Sequence, residues 1–322
     1  MEKGQEWKGI SYKSEEFDHL YNVLTDIKSY LGKQVTETNF KATYESCYRF
    51  FSGFPVPILE VTDKMLLRTR PNYNGELFTC EEDISYNSKQ PHLIRLGRFN
   101  RPGEPIFYAC LPTISNKSSF LATSMLESRK EVVDNGSIEN TFDFTTGTWE
   151  IKPFTSVCLC FDDKHLSTNQ RMKDYIDYFR NYIKTRCSEK DASFIIDTLN
   201  YFSDLSSIKA SNENVYMVLT AVFCALRMIY LQENTEVNGI VYPSSVTESI
   251  GLNIALTKKA VDANLKLTQA VMHRIERWSN DKYQLDMYPI TGIEKVIDGK
   301  FQFTDIGDKR SKLEQNYINK NI

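Results

Sequence analysis

Apolar residues Phe17, Leu20, Leu24, Ile27 and Leu31 recur at helical spacing, which predicts an amphipathic helix over residues 15–31, with Ser14 placed to cap its start and Gly32 to end it. A second helical stretch after Thr38 takes in Tyr44, Cys47, Phe50 and Phe51 before Pro55 and Pro57 break the pattern. Residues 1–56 therefore read as a helical appendage, its stripe packed on its own chain or on a partner. Beyond it, short apolar runs bounded by turn residues predict strands at 65–69, 106–110, 156–161, 252–257 and 265–275. Helical patterns fall between them at 118–129, 171–186 and 188–205, the last two forming an antiparallel hairpin with Ser188 as the cap. Residues 215–231 are apolar nearly all round, the mark of a central buried helix.

Strands separated by helices of unequal length, without regular alternation, imply a mixed α+β domain over 57–298 that carries a helical insert at about 165–212. A polar tail follows over 299–322. Composition narrows the function. Lys and Arg total 39 against 42 Asp and Glu, a net charge of −3, so any anion is bound by a few placed cations and neither nucleic acid nor an anionic membrane is an expected partner. The N-terminal residues lack a signal-peptide run and 215–231 is interrupted by Thr220 and Arg227, which points to a cytoplasmic protein. The 7 cysteines include no C-x-x-C pair and read as reduced structural thiols, and 4 scattered histidines complete no metal set.

Four places carry polar residues that packing does not require. Arg68 and Arg70 alternate along a strand and so face one side, where their guanidinium groups would hold a pyrophosphate or simply line a solvated edge. The loop Gly97-Arg98-Phe99-Asn100, with Gly103 and Pro105, bends tightly and offers donors to a phosphate or ribose before the strand ending at Tyr108. Tyr108 itself would stack on a ring, reach a ribose, or serve as a core aromatic. Glu127 follows Leu121, Met125 and Leu126 in a helix, as a functional carboxylate or a solvated one. Pro243 must end a strand and so presents Ser244 and Ser245 at its tip. No G-x-S-x-G elbow accompanies them, no histidine is placed to activate them, and no P-loop or dinucleotide glycine fingerprint exists.

Taken in order, Leu67-Arg68-Thr69-Arg70, Gly97-Arg98-Phe99-Asn100 with Phe107-Tyr108-Ala109, the stretch from Ala122 to Glu127, and Gly239-Ile240-Val241-Tyr242-Pro243-Ser244 followed by Asn253-Ile254-Ala255-Leu256 resemble the RES-domain family. The resemblance spans roughly residues 60–275. It implies a fold related to the ADP-ribosyltransferase toxins and a toxin-like enzyme that consumes NAD as substrate, holding no permanent cofactor. The nicotinamide–ribose bond would be cleaved by phosphorolysis or hydrolysis, with inorganic phosphate or water as acceptor. Transfer of ADP-ribose to a protein is the alternative, and a catalytically silent interaction module is a further one. The family also implies an antitoxin protein as partner.

Carried over residue by residue, the resemblance gives Arg68 the pyrophosphate or attacking phosphate, Glu127 the ribose and its developing positive charge, and Ser244 the ribose or amide. Tyr108 would bind ribose or stack, with Arg98, Asn100 and Arg70 beside it as further binding residues. The link from Tyr108 to Glu127 is longer than in compact members, and an insert around 130–212 and the N-terminal helices exceed the minimal domain.

Overall fold

In the computed structural model, which describes residues 14–112, 117–129, 132, 141–167, 169–208, 213–247, 251–277 and 285–303, the segment Thr141–Ile151 is a strand at the heart of a sheet. Phe142 and Phe144 on one of its faces and Trp149 on the other are fully buried. The region from 130 onward is therefore not all insertion. The alternation of apolar and polar residues across 141–151 carries the strand signal, and β-branched threonines strengthen it.

Among the described residues ten strands form one sheet: β1 (Ile58–Val61), β2 (Met65–Asn72), β3 (Ile106–Leu111), β4 (Thr141–Ile151), β5 (Phe154–Cys158), β6 (Gly239–Pro243), β7 (Leu252–Thr257), β8 (Leu265–Arg277), β9 (Leu285–Pro289) and β10 (Glu294–Lys295). Their order is β1-β5-β6-β7-β3-β2-β4-β8-β10, with β9 also on β8. Only β5 and β6 run parallel; the other pairs are antiparallel. The fold is mixed α+β.

The sheet is parted in its middle. β3 pairs with β7 along its whole length, from Ile106↔Thr257 to Leu111↔Leu252, and β2 pairs with β4 from Met65↔Glu150 to Asn72↔Asp143. β2 meets β3 at a single residue pair, Leu67↔Cys110. Backbone groups on either side of that pair need other partners, because a buried unpaired carbonyl is costly. The outer edge of β1 is closed in a related way: Tyr175 donates to Ile58 O and Arg171 Nη2 to Glu60 O at 3.2 Å, which blocks further strand pairing.

Helices α1 (Ser14–Ser29) and α2 (Glu37–Phe51) are joined by a 3-10 turn. α3 (Glu81–Ile84) and α4 (Lys117–Ser128) flank β2, while α5 (Asp163–Leu166), α6 (Gln170–Arg186) and α7 (Glu189–Ser207) form the helical layer beside β5 and β6. Ser188 caps α7 through Asp191 N, as its position predicts. α8 (Glu213–Gln232) is buried along most of its length, and α9 (Lys258–Asn264) links β7 to β8. Among the described residues α8 is the one helix long and apolar enough to cross a membrane, yet Val218, Leu219, Val222 and Phe223 are packed inside the protein.

The N-terminal helices share this core. Leu24, Ile27, Phe50 and Phe51 belong to the same buried cluster as α7, α8 and the sheet, and Phe51 meets Phe202 of α7 at 5.4 Å between ring centres. The other end is packed as well. Phe301 and Phe303 are buried and Phe301 N donates to Thr79 O, so the chain from 299 to 303 is docked rather than the start of a polar tail. Aromatic burial outweighs the polar composition that surrounds these two side chains. The remainder of the expected tail, 304–322, lies outside the described residues.

Two outcomes follow from this packing. Phe51→Ala is expected to lower global stability by about 3–5 kcal/mol, seen by circular dichroism as one cooperative denaturant transition; a separate transition for the first two helices would show that they fold apart. His273 of β8 is buried, its Nδ1 lacks a partner among the described residues, and burial pulls its pKa down to about 4 from 6.5. The fold holds this imidazole neutral, so its contribution is complete above pH 6.5 and is lost as pH falls through about 4. Urea titrations should show a fall of roughly 3 kcal/mol across that window, and His273→Leu should flatten it.

Candidate active site

α4 places the acidic residue. Met125 is fully buried with Phe142 and Phe144 in a small core on the β4–β8 half of the sheet. That anchor turns Ser124, Glu127 and Ser128, which share a helix face by their spacing, toward the parted strands. Ser124 Oγ lies 2.8 Å from Thr69 Oγ1 and donates to Leu67 O at 3.4 Å, pinning the helix to β2. On the other side Gly251 lets the chain entering β7 press against α4, since a Cβ there would sit 2.5 Å from Thr123 Oγ1.

These contacts bring three donors onto one oxygen of Glu127. Oε1 accepts from Ser244 Oγ at 2.6 Å, Ser245 N at 2.7 Å and Asn253 Nδ2 at 3.0 Å. Charge-assisted bonds of this kind fix the carboxylate's orientation. Oε2 takes no bond among the described residues, and Glu127 lines a cavity of about 210 Å3. Arg68, Thr69 and Ser124 border that cavity from one half-sheet, and Tyr108, Cys110, Tyr242 and Asn253 from the other. Gly97, Arg98 and Tyr216 close it.

Arg68 spans the seam. Nη1 donates to Tyr108 O at 2.6 Å, Nε to Ile84 O at 2.9 Å and Nη2 to Ser85 O at 3.1 Å. It thus supplies to β3 a bond that the interrupted ladder does not, and it holds the carbonyl end of α3. Three of its five N–H groups are used in this way. Burial, then the nearby Arg70 charge, pull the guanidinium down to about 10, still cationic at neutral pH. Arg70 does share the face of Arg68, as alternation requires, but it is exposed, stacks on Phe78 and donates to Asp83 O. It does not border the cavity. The carbonyls of α3 take the arginines where a pyrophosphate was expected.

The loop before β3 is built around Tyr108, which lies within the strand rather than at its end. Its hydroxyl donates to Asn100 Oδ1 at 2.9 Å and accepts from Phe99 N at 3.0 Å. Asn100 Nδ2 donates to the carbonyls of Arg95 and Arg101, and Thr220 of α8 donates to Gly97 O at 3.1 Å. A Cβ on Gly97 would lie 2.1 Å from Asn100 Oδ1, so the turn depends on glycine. Asn100 is buried away from the cavity, and its amide holds the loop together instead of meeting a ligand. The Tyr108 hydroxyl is occupied in the same way.

Ser244 also departs from its expected place. It is 1% exposed and stands behind Glu127, bonding the carboxylate rather than bordering the cavity. It is a positioning residue. Asn253 shares that work and carried a visible signal: an amide inside the apolar run Leu252–Thr257 requires a buried partner. Cys110 Sγ donates to Asn253 Oδ1 at 3.0 Å and thereby fixes which end of the amide faces Glu127. Burial, then the Glu127 charge, push the Cys110 thiol well above its ordinary range, so it acts here as a donor.

Arg98 is buried beneath the loop with its guanidinium 5.3 Å from the Tyr242 ring centre. Burial disfavours its charge, but Tyr242, Glu127, Tyr216 and Tyr108 around it leave the pKa above that of an ordinary arginine. The lining therefore carries two cations, Arg68 and Arg98, against one acidic side chain, Glu127. A pinned carboxylate, two guanidinium groups and several phenols in one recess can orient a polar, phosphorylated ligand and stabilise charge that develops on it.

Such is the α+β protein that the sheet and recess define. No family model matches the chain, and no curated protein matches it.

The hydroxyl of Tyr108 is expected to matter for stability before anything else. Tyr108→Phe leaves Phe99 N and Asn100 Oδ1 without their partner and should cost about 1–3 kcal/mol in denaturant unfolding. An unchanged midpoint would show that the loop does not depend on this bond.

Proposed function

We propose that the protein consumes NAD, cleaving the bond between nicotinamide and ribose, as its resemblance to the RES-domain family implies. One observation carries the reading. Of the arginine, glutamate and serine that the resemblance singles out, all from distant parts of the chain, Arg68 and Glu127 border one recess and Ser244 bonds Glu127 from behind it. Ser244 and Glu127 are 117 positions apart and 2.6 Å from one another.

In this reading the C1′–N bond breaks with its electron pair going to the nicotinamide nitrogen, which neutralises the cationic ring. Nicotinamide then leaves as a neutral molecule and needs no strong acid. Glu127, held through Oε1, offers Oε2 to the ribose hydroxyls and to the positive charge that develops on the sugar. Water or phosphate joins C1′, its proton passing to solvent. The cavity of about 210 Å3 is small beside the ~300–1,000 Å3 of pockets that enclose a whole drug-sized ligand. It accommodates one end of a dinucleotide, with the rest extending outward. A fold related to the ADP-ribosyltransferase toxins, a toxin-like role and an antitoxin partner belong to the same proposal.

The purified chain incubated with NAD is expected to release nicotinamide. Glu127→Gln, which keeps the shape and removes the charge, should slow release by about a hundredfold or more while leaving the circular dichroism unchanged. With labelled NAD, soluble products support cleavage, whereas label on protein favours transfer of ADP-ribose. Absence of turnover together with no rise in melting temperature on adding NAD would overturn the reading.

A further inference from the structure

Tyr242 is 3% exposed and borders the cavity, and among the described residues no hydrogen bond joins its hydroxyl to protein. Phenols this deeply enclosed ordinarily find one. The neighbouring phenol of Tyr108, by comparison, is bonded twice. The guanidinium of Arg98 lies over the Tyr242 ring, and Phe99 packs against the same ring at 4.8 Å, so cation and hydroxyl are held in one fixed arrangement.

Arg98 shows the same incompleteness. Its one protein hydrogen bond among the described residues runs from Nη2 to Ile208 O at 3.3 Å, which leaves most of its five N–H donors unused by protein. Glu127 favours the charged form of Arg98 from nearby, but it is the one acidic side chain on the lining and its Oε1 is committed to Ser244, Ser245 and Asn253. Arg68 is the better satisfied cation, with one backbone carbonyl on each nitrogen. Of the charged side chains on the lining, two are positive and one negative, and buried charge calls for a counter-charge. Arg98 is the cation whose donors the protein leaves more open.

We infer that Arg98 and Tyr242 form an anion subsite within the cavity, whose ligand is a phosphoryl oxyanion. A guanidinium fork matches two oxygens of such a group, and the phenol supplies a third donor beside it. The anion is either free inorganic phosphate or a phosphoryl group of a nucleotide, both of which present this chemistry. The subsite lies in the cavity assigned to NAD and to that extent rests on that reading. It transfers the phosphate-binding role from Arg68, whose guanidinium closes the sheet, to Arg98.

Binding of inorganic phosphate to the full chain, followed as melting temperature and by calorimetry at constant ionic strength, tests the subsite without requiring catalysis. A saturable rise is expected. Tyr242→Phe keeps the ring under Arg98 and removes one hydroxyl, and it should weaken phosphate binding about tenfold. Arg98→Gln should abolish it. A nucleoside diphosphate provides the second arm: if phosphate still binds beside it, the occupant is free phosphate, and if the diphosphate binds alone with the same dependence on both residues, the occupant is its phosphoryl group. Either result supports the subsite. Anion binding that is absent, or equal in the unmodified protein and a folded Tyr242→Phe variant, overturns it. NAD turnover measured on the same preparations separates this failure from failure of the NAD reading, since turnover with phosphate-independent stability sinks only the subsite.

Discussion

Two half-sheets joined at a single residue pair cannot satisfy their backbone at the junction, and side chains have to complete it. Arg68 does most of this. Its guanidinium reaches from β2 to the Tyr108 carbonyl of β3 and holds Ile84 O and Ser85 O at the end of α3. Arginine suits the task because its planar fork presents several donors at once and stays charged when enclosed. Ser124 and Thr69 fasten α4 to the same half of the seam. Removing the bridge would expose polar backbone and loosen the walls of the recess together, so the constraint that closes the sheet also shapes the site.

The remainder of the recess follows a similar economy of partners. Tyr108, Asn100, Phe99 and Thr220 satisfy one another and make the loop at 97–101 a rigid wall. Ser244, Ser245 and Asn253 all serve one oxygen of Glu127, while Cys110 sets the orientation of Asn253. Polar groups that are satisfied in this manner rigidify their surroundings. The few groups left over, Glu127 Oε2, the Tyr242 hydroxyl and most of Arg98, border the cavity together. Pre-organised groups of that sort lose little freedom when a ligand arrives.

Much of the fold was legible in the chain because most of its helices and the strands β2, β3, β5, β7 and β8 follow strong local patterns. α2, α4, α6, α7 and α8 lie close to where their apolar spacing puts them. β4 carries a strand signal of its own, but its place at the centre of the sheet was not legible, since the burial of its threonines and glycine depends on β2 and β8 beside it. Phe301 and Phe303 likewise sit in a polar stretch and reveal their docking only through the surface they meet. In the recess, Arg68 and Glu127 stood out as charges beside apolar runs and Arg98 as a donor in a tightly bent loop. Asn253 was visible as an amide in an apolar run, but its partner was not, and the work of Cys110 was hidden because a cysteine is unremarkable within a buried strand.

By itself the sequence determined the α+β class, most helices, the strand end at Pro243 and the set of polar residues from which the recess is made. These depend on local spacing, capping and the missing proline N–H, which act within a few residues. Tertiary structure decided what each of those residues does. Arg70 went to a helix end, Asn100 and the Tyr108 hydroxyl to the loop, and Ser244 to the back of Glu127. The cause is satisfaction of buried polar groups, which depends on which donors and acceptors meet across the fold. Neighbours in sequence do not set that meeting.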